Sequence, residues 1–175
     1  MRRVSTWWFV RRARGAFLNP RPIPDSMRAV IDEVARRLKH DKLAAMFAAC
    51  YPNTFTTTLQ PRPDGTTFVI TGDIPALWLR DSAAQVRPYL PQARDDAEMA
   101  NALEGLLRFQ LDCVLHDPYA NAFNEEANGR HWEADLTDQS ARVWERKYEV
   151  DSLCAPLHFA HTLWRATGRQ SVLTG

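Results

Sequence analysis

A long stripe of apolar residues between positions 95 and 116 constrains the fold more than any other feature of the sequence. The stripe repeats with the period of an α-helix, and acidic residues precede it, as the helix dipole favours at an N-terminus. We therefore predict a helix from Asp95 or Asp96 to about His116. Its apolar positions are Met99, Leu103, Leu106, Leu107, Leu111, Val114 and Leu115. A helix of this length must bury its stripe against neighbours, which favours a helical domain.

Shorter helical patterns lie on both sides of this helix. We predict them at about 26–38, 42–50, 82–89 and 151–166. The predicted N-caps are Asp25 or Ser26, Asp41, Ser82, and Asp151 or Ser152, and Gly168 is the predicted C-cap of the last helix.

Two β-branched runs, at 55–59 and 67–71, enclose a turn that contains Asp64-Gly65. This pattern predicts a β-hairpin. The alternation of strands and helices that marks a parallel sheet is absent from the sequence. The predicted fold class is therefore all-α, as a toroid or bundle with a small β-hairpin.

Charge is unevenly distributed along the 175 residues. The formal net charge is +1, yet residues 1–21 hold six Arg and no acid, so that residues 22–175 hold 16 basic against 21 acidic residues. We interpret residues 1–24 as a basic, Pro-rich lead-in, partly disordered over residues 1–18, and residues 25–175 as the globular part. A mildly acidic body makes nucleic acid an unsuitable partner.

The cysteines and the N-terminus bear on the cellular compartment. Cys50, Cys113 and Cys154 are far apart, which argues against a disulfide framework or a thiolate zinc site, and we expect each to be a small buried residue on a helix. The apolar run at Trp7–Val10 is too short for a secretory signal, and no stretch is long enough to span a membrane. We expect a cytoplasmic protein with no membrane partner; the sequence leaves the oligomeric state unknown.

The stretch 66–82 combines a strand, a turn and a group of residues suited to sugar. Within ten residues it contains Asp73, Trp78, Arg80 and Asp81. The apolar face of a pyranose stacks on an indole ring, and its hydroxyls need charged hydrogen-bond partners. The alternative interpretation is that Trp78 anchors the core and that Arg80 forms an ion pair on a loop.

The segment 117–150 is long, polar and rich in acids, which is typical of a functional loop. Carboxylates concentrate in it and at its end, among them Glu125, Glu126, Glu133, Asp135, Asp138, Glu145, Glu149 and Asp151. Trp132, Trp144 and Tyr148 lie among them. Glycoside hydrolysis needs a pair of carboxylates on either side of the sugar, whereas the alternative is that these acids are loop charges and caps. His158 and His161 are spaced like metal ligands, but their apolar surroundings favour packing.

Three blocks of the sequence resemble glycoside hydrolase family 125, a family of metal-independent exo-α-1,6-mannosidases. They are Phe68–Tyr89, Asp117–Trp132 and Val143–Cys154, in the family's order. The resemblance covers about residue 25 to residue 175. It implies an (α/α)6 toroid of six helical hairpins, and inverting hydrolysis of terminal α-1,6-linked mannose without a metal or cofactor. The implied partner is a mannose-containing oligosaccharide.

The resemblance also implies roles for individual residues. Two indoles, Trp78 and Trp132, are expected to form the walls of the mannose site. The residues expected to bind its hydroxyls are Arg80, Asp81, Asn124, Glu125, Arg130, His131 and Glu149.

Members of the family are more than twice as long as this chain, and the resemblance places their acid and base beyond residue 175. We therefore expect an incomplete enzyme with no catalytic residue of its own, inactive and poorly soluble because the Leu103–Leu107–Leu111 stripe is partly exposed. Two alternatives remain: a non-catalytic glycan-binding helical remnant, and a plain helical scaffold.

Overall fold

The computed structural model describes residues 21–132 and 137–174. The chain divides into two compact units, with the boundary between Thr58 and Leu59. The basic lead-in predicted for residues 1–24 falls almost entirely outside the described residues, and that boundary stays a prediction.

The first unit contains two packed helices, α1 (Asp25–Arg37) and α2 (Asp41–Cys50), followed by a π-helical segment at Thr54–Thr58. Two predicted caps are wrong: no side chain caps α1, and His40 rather than Asp41 caps α2, its Nδ1 accepting from the Leu43 amide at 3.4 Å.

The predicted strand at 55–59 is also wrong. The hydroxyls of Thr56, Thr57 and Thr58 donate to carbonyls three or four residues earlier. These local bonds give the backbone an alternative to a sheet ladder, so that the β-branched run forms a helical turn and the strand starts later.

The second unit begins with the predicted hairpin, built from β1 (Leu59–Pro61) and β2 (Thr67–Val69). Gly65 has a φ of 80°, which a glycine adopts without a steric penalty. Asp64 accepts hydrogen bonds from the hydroxyl and amide of Thr66, at 2.5 and 2.9 Å, and the hydroxyl bond is the main reason that the pKa of Asp64 is lowered. The hairpin prediction is confirmed with shifted boundaries.

The hairpin packs on the longest helix. We label the helices of this unit α3 (Leu79–Val86), α4 (Ala97–His116) and α5 (Val150–Thr167). α4 contacts both β2 and α5 and buries Met99, Leu103, Leu106, Leu107 and Phe109. The Asp96 carboxylate caps it by accepting from the Met99 amide at 2.9 Å, as predicted. The expectation of an exposed stripe is wrong for Leu103 and Leu107, because these contacts cover them.

Helices α3 and α5 lie side by side and run in the same direction. Arg80 in the first turn of α3 contacts Asp151 in the first turn of α5, and residues along both helices line one groove. Both N-termini therefore lie at one end of the pair. Gly168, with a φ of 70°, ends α5 as predicted.

Ser82 does not cap α3 as predicted. It lies within the helix, which begins at Leu79, and its hydroxyl donates to the Trp78 carbonyl at 2.7 Å. The same hydroxyl accepts from Gln110 Nε2 of α4 at 2.8 Å. Gln110 is fully buried and also donates to the Leu79 carbonyl at 3.2 Å, so it fixes the start of α3 against α4.

A second small sheet was not predicted. Its strands β3 (Leu77–Trp78), β4 (Ala122–Phe123) and β5 (Val143–Glu145) pair antiparallel in the order β3-β4-β5. Part of the polar segment interpreted as a long loop therefore forms two strands of a sheet. One residue of each strand is completely buried: Leu77, Phe123 and Val143.

The cysteine expectation holds for one residue of three. Cys113 is buried in α4, and burial raises the pKa of its thiol, whereas Cys50 and Cys154 are exposed. In the described part of the chain, no helix is both long and apolar enough to cross a bilayer.

Candidate functional site

The three-stranded sheet brings distant parts of the chain to one edge. Trp78 lies opposite Ala122, and Ala122 lies opposite Glu145. Because Ala122 is small, the side chains on its two sides meet across it, and Trp78 Nε1 donates to Glu145 Oε2 at 3.3 Å. A tryptophan and a carboxylate that are 67 residues apart in sequence thus form one surface.

Glu145 is the centre of a polar network that we call the Glu145 cluster, formed by Trp78, Asn121, Glu145 and Lys147. Asn121 Nδ2 donates to Glu145 Oε2 at 2.7 Å, and Lys147 Nζ donates to Oε1 at 2.5 Å. The Lys147 amide in turn donates to Asn121 Oδ1 at 3.1 Å. The bonds close a ring between the ends of β4 and β5.

This network keeps Glu145 ionised. Burial is the largest single influence and raises its pKa, but the hydrogen bonds from Lys147, Asn121 and Trp78, with the charge of Lys147, together outweigh burial and lower the pKa below the ordinary value. Glu145 is therefore a hydrogen-bond acceptor at neutral pH, and it lacks the raised pKa of a general acid.

A second group, the Arg80 cluster, lies at the start of α3 and α5 and consists of Arg80, Asp81, Glu149 and Asp151. Arg80 Nη1 is 2.5 Å from Asp151 Oδ2 and 3.9 Å from Glu149 Oε2, and Arg80 Nε is 4.0 Å from Asp81 Oδ2. The hydrogen bond between Arg80 and Asp151 raises the pKa of the guanidinium and lowers that of the carboxyl.

The ion pairs of the Arg80 cluster can be broken at a small cost in free energy. The Arg80 side chain is half exposed, and ion pairs at such positions contribute little to stability. Asp81 and Asp151 lie in the first turns of their helices, where the helix dipole favours negative charge. A single cation among three carboxylates therefore presents several strong hydrogen-bonding atoms to a ligand.

The two clusters lie at the same end of the sheet because β3 continues into α3 and β5 leads to α5. A groove of ≈160 Å³ begins at Arg80 and runs between α3 and α5. Its lining residues are Arg80, Ala83, Ala84, Arg87, Leu90, Ala155, His158, Phe159 and Thr162. Across the described residues, no group of three His, Cys, Asp or Glu side chains could hold a metal ion.

Asn124 and Glu125 leave the sheet at the opposite end. Asn124 is fully buried, and its Nδ2 donates to the carbonyls of Arg130 at 2.8 Å and Ala141 at 3.2 Å. Glu125 accepts from Arg62 of the hairpin, through its carbonyl at 3.0 Å and its Oε1 at 3.3 Å. The structure thus uses both residues to hold the loop and does not bring them to the Arg80 cluster.

Arg130, His131 and Trp132 form an exposed strip beside β5. The Trp132 amide donates to the Trp144 carbonyl at 3.1 Å, and its side chain is 47% exposed. His131 Nδ1 lies 3.1 Å from the Trp132 carbonyl oxygen. Within residues 21–132 and 137–174, none of these three side chains contacts the Arg80 cluster.

Of the nine predicted site residues, the structure gathers four: Trp78, Arg80, Asp81 and Glu149. It adds residues that the sequence left out of the site, namely Asn121, Glu145, Lys147 and Asp151. Glu145 and Asp151 stand in the acid-rich segment, but their proximity depends on sheet pairing and helix packing. Asp73, singled out in the sequence, lies exposed in the turn after Gly72, outside both clusters.

An indole, a cation and several ionised acceptors lie near the N-termini of paired helices, and such groups can stack on a sugar ring and hydrogen-bond its hydroxyls. Residues 40–175 match the family model described as metal-independent alpha-mannosidase (GH125). The chain belongs to this family.

Two relatives show how much of such a protein is present. The chain is 37% identical over 161 residues to the meiotically up-regulated gene 157 protein of Schizosaccharomyces pombe, covering 85% of this chain and 32% of the relative. It is 49% identical, with a TM-score of 0.81, to a metal-independent α-mannosidase of Streptococcus pneumoniae solved as a non-productive complex with α-1,6-mannobiose. That match covers 85% of this chain and 35% of the other.

The chain therefore spans about a third of the length of the relatives that it matches. The structural match is to an enzyme of the (α/α)6 fold, and with the helices and small antiparallel sheets described above it confirms the predicted fold class.

Proposed function

We propose that this chain carries part of the mannose-binding site of an exo-α-mannosidase that removes terminal α-1,6-linked mannose by inversion without a metal. The observation that supports this most is the position of the Glu145 and Arg80 clusters at the same end of the three-stranded sheet in a GH125 chain. The α-1,6 linkage is suggested by the sugar bound to the Streptococcus pneumoniae relative.

In this proposal the ionised carboxylates accept hydrogen bonds from sugar hydroxyls. Asp151 and Glu145 have lowered pKa values, so both remain negative at neutral pH. Arg80 donates to ring or hydroxyl oxygens, and Trp78 offers its indole face. Charged hydrogen bonds and stacking together match the two kinds of surface of a pyranose.

The proton donor and the base are proposed to belong to the two thirds of the relatives' length that this chain does not match. The alternative, a domain that binds mannose without cleaving it, shares every contact described here. Hydrolysis by a protein that joins this chain to that remaining part separates the two, because only the enzyme releases mannose with inverted configuration at the anomeric carbon.

The test compares binding and turnover of α-1,6-mannobiose, with α-1,2-mannobiose for comparison. We expect Arg80→Ala to weaken binding of α-1,6-mannobiose by at least about tenfold, since a charged hydrogen bond contributes about 1.5–3 kcal/mol. Arg28→Ala removes another exposed, ion-paired arginine and serves as the matched control. Equal affinities for the two variants would contradict the site. Because the proposed acid and base lie outside this chain, binding without release of mannose is expected of the chain itself under both interpretations.

A further inference from the structure

Two exposed tyrosines lie outside both clusters at the same end of the sheet. Tyr119 precedes β4 and Tyr148 follows β5, and their ring centroids are 5.8 Å apart with the planes tilted by 49°. The residues are 57% and 61% exposed. Large aromatic rings held in contact with each other yet left open to water are typical of a binding surface.

An ion pair fixes one of these rings in place. The Arg146 guanidinium lies 5.5 Å from the centre of the Tyr119 ring, and Arg146 Nε is 2.7 Å from Asp117 Oδ2. The other oxygen of Asp117 accepts from the Tyr119 amide at 2.9 Å. A single carboxylate thus positions both the backbone of the tyrosine and the cation against its ring, which reduces the entropy lost when a ligand stacks there.

The second ring is joined to the Glu145 cluster. Tyr148 follows Lys147, whose amide donates to Asn121 and whose ammonium donates to Glu145. The tyrosine pair therefore adjoins the surface proposed to bind mannose. Only the peptide bond between Lys147 and Tyr148 separates Tyr148 from a residue of the Glu145 cluster. Across the described residues, neither phenol hydroxyl has a hydrogen-bond partner.

From this geometry we propose that Tyr119 and Tyr148 form a stacking platform for a second pyranose ring of the same oligosaccharide. The inference rests on the proposed function. Two tilted apolar faces with polar neighbours suit the apolar face and equatorial hydroxyls of a sugar. A protein segment on this surface would instead require a continuous apolar patch, whereas Arg146 and Lys147 adjoin the rings.

The experiment measures the affinity of the chain for mannose, α-1,6-mannobiose and α-1,6-mannotriose by calorimetry. We expect the longer saccharides to bind more tightly than mannose. Tyr119→Ala and Tyr148→Ala should each lose about three- to tenfold of the affinity for mannotriose and leave that for mannose unchanged. Tyr148→Phe should retain the higher affinity for mannotriose, because stacking needs the aromatic ring and not the hydroxyl. Leu157→Ala changes an exposed apolar residue of α5 and serves as the control.

The outcomes distinguish the two proposals. If the wild type binds mannose but binds mannobiose and mannotriose no more tightly, the platform is wrong and the mannose site stands. The same conclusion follows if both alanine variants bind mannotriose with the affinity of the wild type. If the wild type binds no mannoside, both proposals are overturned. Loss of affinity for every saccharide with an altered melting temperature would indicate a structural role for the tyrosines and also overturn the platform.

Discussion

At the scale of single residues, the polar side chains divide into those that organise the structure and those that remain available. Asn124 and Gln110 are completely buried and bonded to backbone carbonyls. Arg80 is half exposed, among carboxylates that are themselves partly open to solvent. The burial of a polar side chain and the identity of its hydrogen-bond partner therefore indicate whether it has a structural or a binding role more reliably than its residue type does.

Asn124 provides the first test. Asn124→Ala removes hydrogen bonds to the carbonyls of Arg130 and Ala141 in a buried position. We expect the free energy of unfolding to fall by about 1–3 kcal/mol, measured by urea denaturation. Affinity for mannose of the folded protein should stay within about twofold of the wild type. A folded variant that has lost mannose binding would return Asn124 to the sugar site.

Glu145 provides a test in pH. Its pKa is lowered on folding, so its ionisation stabilises the folded state above the unfolded pKa near 4.5, and this contribution disappears as pH falls through the folded value. We expect Glu145→Gln to cost about 1–3 kcal/mol at pH 7 and progressively less below pH 4.5. Urea denaturation of both proteins between pH 3 and pH 7 measures the difference; a constant difference would contradict the assignment.

At the scale of elements, local patterns predicted the helices and tertiary contacts decided the rest. The stripe of α4 and its Asp96 cap are local signals, and the structure has both. Strands β3, β4 and β5 have only two or three residues each and pair across 20 to 46 positions. Segments this short carry no period, so neither this sheet nor the Glu145 cluster on it could be predicted from the sequence.

The same limit explains why the sequence could not show which of the predicted site residues lie together. Arg80 and Asp81 adjoin Trp78 in sequence, and the family resemblance suffices to group them. Asn124 and Glu125 share a polar block with Asn121, but one strand separates them, so that Asn121 lies at the Glu145 end and they lie at the other. Only the pairing of β4 shows which end each residue occupies.

Close packing of α4 on the hairpin gives a prediction for Gly105. A Cβ at this position would lie 2.6 Å from Thr67 Oγ1 and 2.9 Å from the Gly65 carbonyl oxygen. Gly105→Ala should therefore destabilise the protein by about 1–3 kcal/mol, although alanine is the better helix former. Thermal denaturation measures the effect.

A double mutant controls this prediction. Adding Thr67→Ala removes the nearer obstacle and leaves the Gly65 carbonyl, so we expect part of the loss to be recovered. A stabilising Gly105→Ala would show that the hairpin does not approach α4 as closely as described.

At the scale of the whole molecule, the chain spans about a third of the length of the relatives that it matches. Its second unit nevertheless buries Leu103 and Leu107 of the α4 stripe, which was expected to be partly exposed. Under the proposed function, we expect this chain to bind mannose independently of turnover. The cytoplasmic location stays a prediction, which cell fractionation would test.

The most direct measurement is a titration of the isotopically labelled chain with mannose, followed through its amide and indole NMR signals. We expect the largest chemical-shift changes at the N-termini of α3 and α5, in the signals of Trp78, Arg80, Asp81 and Glu149. The amides of Asn124 and Glu125, at the other end of the sheet, should change little. Saturable chemical-shift changes centred on Asn124 and Glu125, with the signals of the Arg80 cluster unaffected, would contradict the proposal that mannose binds at the Arg80 end of the sheet.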